Sequence, residues 1–176
     1  MALPRYIPDY TVEDYALWEG QWELWSGVPV AMSPSADKRH QRISGELYSL
    51  LKDALREQGC ADCDIYFELD WVAAPDTVYR PDVVIVCGDR PSRHLETTPV
   101  FVAEVLSAST RQRDLLYKRD SYAQLGVRYY AILDPEEESV ELLELQGEGY
   151  QSVPHRTRLI LNPNCEIEVD LSQALI

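Results

Sequence analysis

Basic residues are scarce in this chain. Of its 176 residues, 16 are Lys or Arg against 30 Asp or Glu, which gives a formal net charge of −14. A protein held to duplex nucleic acid by bulk electrostatics needs the opposite balance, because it binds by releasing counterions from phosphates. Any phosphate partner would have to be met locally or through a bound cation. Histidine is also rare, with only His40, His94 and His155. Cys60 and Cys63 form one C-x-x-C pair, but no second pair follows, and Cys87 and Cys165 stand apart. A structural zinc site wants four N or S ligands at paired spacings, so the pattern reads as reduced, partly buried thiols. No apolar run approaches the roughly 18 residues of a membrane span, and no apolar segment follows Met1 to Tyr6 as in a secretory signal. Internal repeats, low-complexity tracts and linkers are missing too. These absences point to one domain over residues 1–176, in the cytoplasm.

What is present is an ordinary globular composition, 45% hydrophobic and 26% charged. Residues 1–35 are rich in Trp, Tyr and Pro. Within them Trp22-Glu23-Leu24-Trp25, Ser26-Gly27 and Val28-Pro29-Val30 read as a short hairpin. Ile43, Leu47, Leu50, Leu51, Ala54 and Leu55 repeat at helical spacing, predicting a helix near 38–58 stopped by Gly59. His40 falls in its first turn and reads as a polar residue there. Beyond Gly59 the period drops to two. Ile65, Phe67, Leu69 and Trp71 predict one half-buried strand, and residues 73–77 a turn. Val83 to Val86 and Val100 to Ala103 are near-continuous apolar runs of the kind found in strands covered on both faces, separated by a polar loop from Gly88 to Thr98. A second helix is predicted from Arg113 to Leu125, with Ser109 or Thr110 as N-cap and Gly126 as stop. Strands at Val127 to Leu133 and Ser139 to Leu145 follow, then one or two short strands and a tail. Helix, three strands, helix and further strands make a mixed α/β or α+β domain, with helices packed on a central sheet.

Three charged residues interrupt this apolar pattern. Asp82 follows Pro81 at the entry of a central strand. Glu104 shares a strand face with Val100, Val102 and Leu106. Lys118 lies on the stripe Leu115, Lys118, Tyr122 and Leu125 of the second helix. A hairpin centred near residue 93 would set position 82 opposite position 104. Two adjacent carboxylates repel unless a proton or cation lies between them, and a hard, oxygen-seeking ion such as Mg²⁺ resolves the conflict. A strand-entry Asp beside Pro is commonly a turn residue and a helical Lys commonly reaches solvent. A Glu inside an apolar strand, however, needs a partner.

Arg80-Pro81-Asp82-Val83-Val84-Ile85-Val86, Val102-Ala103-Glu104-Val105-Leu106-Ser107-Ala108-Ser109-Thr110, and then Asp114, Lys118, Tyr122, Gly126-Val127, Tyr130 and Asp134-Pro135 resemble a family of restriction-endonuclease-like proteins catalogued as a domain of unknown function. Glu23-Leu24 with Gly27 and Met32, and His40 with Ile43 and Leu47, are similar to its N-terminal half. The resemblance covers roughly residues 15–150. It implies the Pro-Asp…(Asp/Glu)-x-Lys nuclease fold, a mixed central β-sheet flanked by α-helices, here with an added N-terminal hairpin. Leu106 stands where the general pattern places a lysine, and Lys118 matches the relocated lysine of the family. Ala108 replaces a proline usual in the Ser-Pro-Ser segment.

The resemblance implies phosphodiester hydrolysis in DNA, with Asp82 and Glu104 binding Mg²⁺ or Mn²⁺ and Lys118 offsetting phosphoryl charge. Arg111, Arg113 and Arg119 could touch backbone phosphates, although exposed helix charges account for at least two of them. Restriction-like nucleases often cut as dimers, and the aromatic N-terminal segment and terminal strands offer apolar surface, so a homodimer is expected. The acidic charge supports an alternative, a nuclease-like fold acting as a binding or regulatory module. A metal-dependent hydrolase of another substrate is a third reading. Asp82, Glu104 and Lys118 are expected to converge on one point.

Overall fold

In a computed structural model, the structure describes residues 8–32, 38–91, 93–107 and 111–176, and of Arg113 and Asp114 only the backbone. The chain enters through a one-turn helix α1 (Val12–Tyr15), set by a reciprocal capping box: Thr11 Oγ1 accepts from Asp14 N–H, and Asp14 accepts from Thr11 N–H. The hairpin β1 (Trp22–Trp25) and β2 (Val28–Ala31) follows as the sequence predicts. Its two-residue turn, Ser26-Gly27, has positive φ at both positions (46° and 77°), the conformation whose twist suits antiparallel strands. Helix α2 (Lys38–Glu57) buries Ile43, Ser44, Leu47, Leu51, Ala54 and Leu55.

Gly59 ends α2 at φ 66°, where Cys60 N–H donates to Leu55 O and Gly59 N–H to Arg56 O, so the last carbonyls of the helix are satisfied by a Schellman motif. The predicted strand from Ile65 to Trp71 is in fact two strands in different sheets. Strand β3 (Cys63–Phe67) stops at Glu68, whose φ of 47° turns the chain out of the sheet while its N–H donates to Asp82 O. Strands β4 (Trp71–Ala74) and β5 (Thr77–Tyr79) then build onto the N-terminal hairpin, giving a four-stranded sheet in the order β2-β1-β5-β4. Strand β5 had no sequence signal, being only three residues long.

Strands β6 (Val83–Cys87) and β7 (Phe101–Val105) are antiparallel neighbours in register Val83↔Ala103, Val84↔Val102 and Ile85↔Phe101. The helical segment after β7 is continuous through residues 113–124, but its first part, Arg113–Lys118, is wound as a π-helix before α3 (Arg119–Gln124). Ser109 and Thr110, the expected N-cap, lie outside the described residues. Gly126, at φ 81°, stops α3 as expected. Strand β8 (Tyr129–Asp134) returns parallel to β7, and β9 (Ser139–Gln146) and β10 (Gly149–Val153) continue antiparallel. The central mixed sheet is thus ordered β10-β9-β8-β7-β6-β3. The C-terminal region holds more than the short strands and tail anticipated. After β10 it forms a separate hairpin, β11 (Arg156–Asn162) with β12 (Cys165–Asp170), and a 3₁₀ turn Leu171–Leu175.

The central sheet separates two apolar cores. Alternation sends Val83, Ile85, Phe101, Ala103 and Leu133 to one face, against α2 and the β11–β12 hairpin. Val84, Val102, Tyr130 and Ile132 go to the other, against α3 and the small sheet. Full burial of such a side chain contributes roughly 1.5–3 kcal/mol, so strands apolar on both faces hold the centre.

The expectation of reduced thiols is overturned: Cys60 is bonded to Cys165 and Cys63 to Cys87. The partners lie 105 and 24 residues apart, and only folding brings them together. Cys63 and Cys87 face each other in the β3–β6 register, and Cys60 follows α2 beside β12. Among the described residues, no helix is long and apolar enough to cross a membrane.

Candidate active site

The start of β6, the end of β7 and the end of β8 share one end of the central sheet, because β6 is antiparallel and β8 parallel to β7. One step outward from Val83↔Ala103, this register sets position 82 opposite position 104. Arg39 in the first turn of α2 pairs with Glu138 after β8, and Arg111 pairs with Asp134 at its end. The first turn of α2 and the helical segment after β7 are therefore drawn to the same edge. Helix starts present unsatisfied N–H groups and the positive end of the dipole, which favours anions there.

Glu104 lies in β7, all five of whose residues are buried. Its Oε1 accepts from Lys118 Nζ at 2.8 Å and from Tyr122 OH at 2.8 Å. Lys118 is the last residue of the π-helical segment, which lends its ammonium also to Glu23 Oε1, 3.1 Å away. π-Turns of this kind are frequent at functional sites. Glu23 reaches the cluster from β1 and is itself fixed, with Oε1 accepting from Arg80 N–H at 2.8 Å and Oε2 from Trp25 Nε1–H at 3.1 Å. Trp25 stacks flat on Tyr117 at 4.5 Å between ring centroids, clamping the residue before Lys118 against the small sheet. Glu23, Glu104 and Lys118 are each about 4% exposed, and such charges are tolerated inside only when paired and hydrogen-bonded. Burial pushes the Tyr122 phenol well above its ordinary value, with the Glu104 and Glu23 charges adding to the shift, so it stays a neutral donor.

Asp82 is held differently. Its Oδ2 accepts from Val105 N–H at 2.7 Å, next to Glu104 in the chain, and lies 3.2 Å from His40 Nε2. His40 is therefore more than the plain first-turn residue expected: α2 delivers it to the carboxylate. Beyond this edge, Arg80 pairs with Asp70 at 2.5 Å, and Tyr15 OH donates to Asp70 Oδ2 at 3.1 Å.

The structure thus brings Lys118 directly onto Glu104 and sets Asp82 at the neighbouring strand entry, anchored by His40. Two of the arginines considered for phosphate contact are already engaged, Arg111 with Asp134 and Arg119 with Glu141, and the Arg113 side chain lies outside the described residues. Sequence reasoning from the residues missed Glu23 and His40. The signal for Glu23 was a carboxylate amid the aromatic pattern Trp22-Glu23-Leu24-Trp25. His40 carried none, since its partner is 42 positions away in the chain.

A mixed sheet flanked by helices, with this acid–lysine pair at one end, is a restriction-endonuclease-like nuclease fold. The chain belongs to the Uma2 family, described as "Putative restriction endonuclease", which matches residues 12–172. It is similar in structure to a crystal structure from Anabaena variabilis ATCC 29413 described as a putative nuclease belonging to DUF820. The TM-score is 0.72 at 16% identity, covering 95% of this chain and 99% of that chain. Among curated proteins no relative matches the chain. Family and fold together point to nuclease activity.

Proposed function

We propose that the protein is a divalent-metal-dependent endonuclease that hydrolyses phosphodiester bonds in DNA. The observation that carries this reading is the buried Lys118–Glu104 pair at the sheet end where Asp82 stands in opposing register. Mg²⁺ or Mn²⁺ would be held by Asp82 and Glu104. The donor set suits such an ion. Asp82 Oδ1 takes no hydrogen bond from the described residues, and Mg²⁺ is commonly bound by one or two carboxylates with water and phosphate completing its shell. Among the described residues no group of three or more His, Cys, Asp or Glu side chains is placed to hold a metal ion.

When bound, the ion supplies Lewis-acid polarisation of a phosphate oxygen and favours ionisation of a nucleophilic water. Lys118 offsets the charge that develops on the phosphoryl oxygens. Tyr122 and Glu23 fix the ammonium and the Glu104 carboxylate in place, and His40 with Val105 N–H fixes Asp82. The active form is a homodimer in this reading, and the exposed apolar side chains Leu17, Val28, Leu116 and Tyr117 offer it surface.

Supercoiled plasmid incubated with the protein and Mg²⁺ or Mn²⁺ tests the proposal. Nicked or linear product is expected, abolished by chelation and by Glu104→Gln in a folded variant. The second reading, a binding module without cleavage, is favoured by the charge of −14 and by the ion-paired Arg111 and Arg119. Intact plasmid at every metal concentration would select it. Cleavage of another phosphodiester but not DNA, in a substrate panel, would select a different hydrolase.

A further inference from the structure

The four cysteines lie at the end of β6 and beyond the end of α2, away from Asp82 and His40 at the starts of those elements. They are more than two independent staples. Cys63 N–H donates to Cys60 O at 3.1 Å, so the C-x-x-C segment is a tight turn, and both cysteines are buried in the same core. Asn162 is the cross-strand partner of Cys165, and its Nδ2–H donates to Cys63 Sγ at 3.4 Å. The residue paired in register with Cys165 thus hydrogen-bonds the other disulfide. Cys60, Cys63 and Cys165 are buried, while Cys87, at the end of β6 before Gly88, is the partly exposed residue of the group.

We propose that Cys63–Cys87 is a thiol-exchange site, and that its opening by a small thiol transfers the Cys60–Cys165 disulfide to Cys60–Cys63. A thiolate attacks Cys87 Sγ, on the partly exposed residue of the pair. A mixed disulfide forms there, the Cys63–Cys87 bond breaks, and its electron pair departs on Cys63 Sγ, where the Asn162 N–H stabilises the negative charge. Leaving-group stability and access decide which sulfur is attacked, and both favour this direction. The Cys63 thiolate then attacks Cys60 Sγ three residues away. The Cys60–Cys63 bond forms, Cys60–Cys165 breaks, and Cys165 leaves as a thiolate that takes a proton. A second thiol resolves the mixed disulfide at Cys87. Two external thiols are thereby oxidised to one disulfide, and the protein gains two electrons, keeping one disulfide and two thiols.

The consequence is mechanical. Cys165 is the covalent tie between the β11–β12 hairpin and the chain after α2. After exchange the hairpin has no disulfide to the rest of the chain and is held by packing, including Leu159, Ile167 and Val169 on the α2 face of the sheet, and by the hydrogen bond from Ile160 N–H to the Tyr129 hydroxyl.

The experiment treats the oxidised full chain with one molar equivalent of dithiothreitol, quenches with acid, alkylates free thiols and maps peptides without reduction. Alkylated Cys87 and Cys165 with a Cys60–Cys63 link are expected, together with faster amide exchange across residues 156–162. Alkylated Cys63 and Cys87 with Cys60–Cys165 intact would overturn the proposal, as would four free thiols in protein prepared under oxidising conditions. Asn162→Ala, checked for an unchanged fold by thermal melting, is expected to slow the first alkylation several-fold. An unchanged rate would overturn the part assigned to Asn162.

Discussion

Glu23 and Glu104 converge on the one ammonium of Lys118, and this stoichiometry sets what each substitution does. Glu104→Gln leaves Lys118 paired with Glu23, and the amide still accepts from Tyr122, so the fold should survive with little loss. Lys118→Met leaves two buried carboxylates facing each other, the case in which removing one partner costs roughly 3–5 kcal/mol. Chemical denaturation of the two variants checks this. The expected order is a large loss for Lys118→Met and a small one for Glu104→Gln, with Mn²⁺ restoring part of the stability of Lys118→Met by replacing the missing charge. Equal losses would mean that Glu23 does not share the lysine.

The hairpin β1–β2 carries Glu23 to the cluster, so its turn governs the site from a distance. Gly27 has φ 77°, and a Cβ added there would lie 3.1 Å from Asp9 Cα and 3.2 Å from Asp9 Oδ1. Gly27→Ala therefore meets both an unfavourable backbone conformation and a backbone neighbour that does not yield easily. A loss of about 1–2 kcal/mol is expected from the conformation and crowding together. Thermal melting measures it, and Ser26→Gly, which relieves the positive φ of 46° at the neighbouring position, should be neutral or stabilising. Helix α2 shows the same dependence of site on element. Its apolar stripe fixes how it lies on the sheet, and that alone brings His40 to Asp82.

Across the whole molecule, burial of tyrosine sets the behaviour in alkali. Tyr15 is pushed up to about 12, first by burial and then by the Asp70 charge. Tyr79, Tyr122 and Tyr150 are raised too, in each case chiefly by burial. Their folded values lie above the ordinary 10.0, so the stability they contribute is complete below pH 10 and is lost as pH rises through the raised values. Melting temperature should fall steeply from about pH 10 towards 12, with tyrosinate absorbance appearing together with unfolding. Tyrosinate developing in the folded protein at pH 10, with no loss of melting temperature, would contradict the burial argument.

Much of this was legible in the chain. The 3.6-residue period of Ile43 to Leu55, the continuous apolar runs at 83–86 and 100–103, and the stops at Gly59 and Gly126 specify α2, β6, β7 and the end of α3, because each is a local consequence of burial or backbone freedom. Glu104 and Lys118 stood out as charges on apolar faces, and hairpin symmetry set position 82 opposite position 104. The sequence by itself determined these elements and the kinds of side chain at the site. Only the tertiary structure decided the break at Glu68, the assembly of a second sheet from β4 and β5 with the N-terminal hairpin, the sharing of Lys118 with Glu23, the delivery of His40 to Asp82 and the pairing of the four cysteines. Each of these joins groups distant in the chain, and such contacts arise only from the packing of elements whose faces are local but whose neighbours are not.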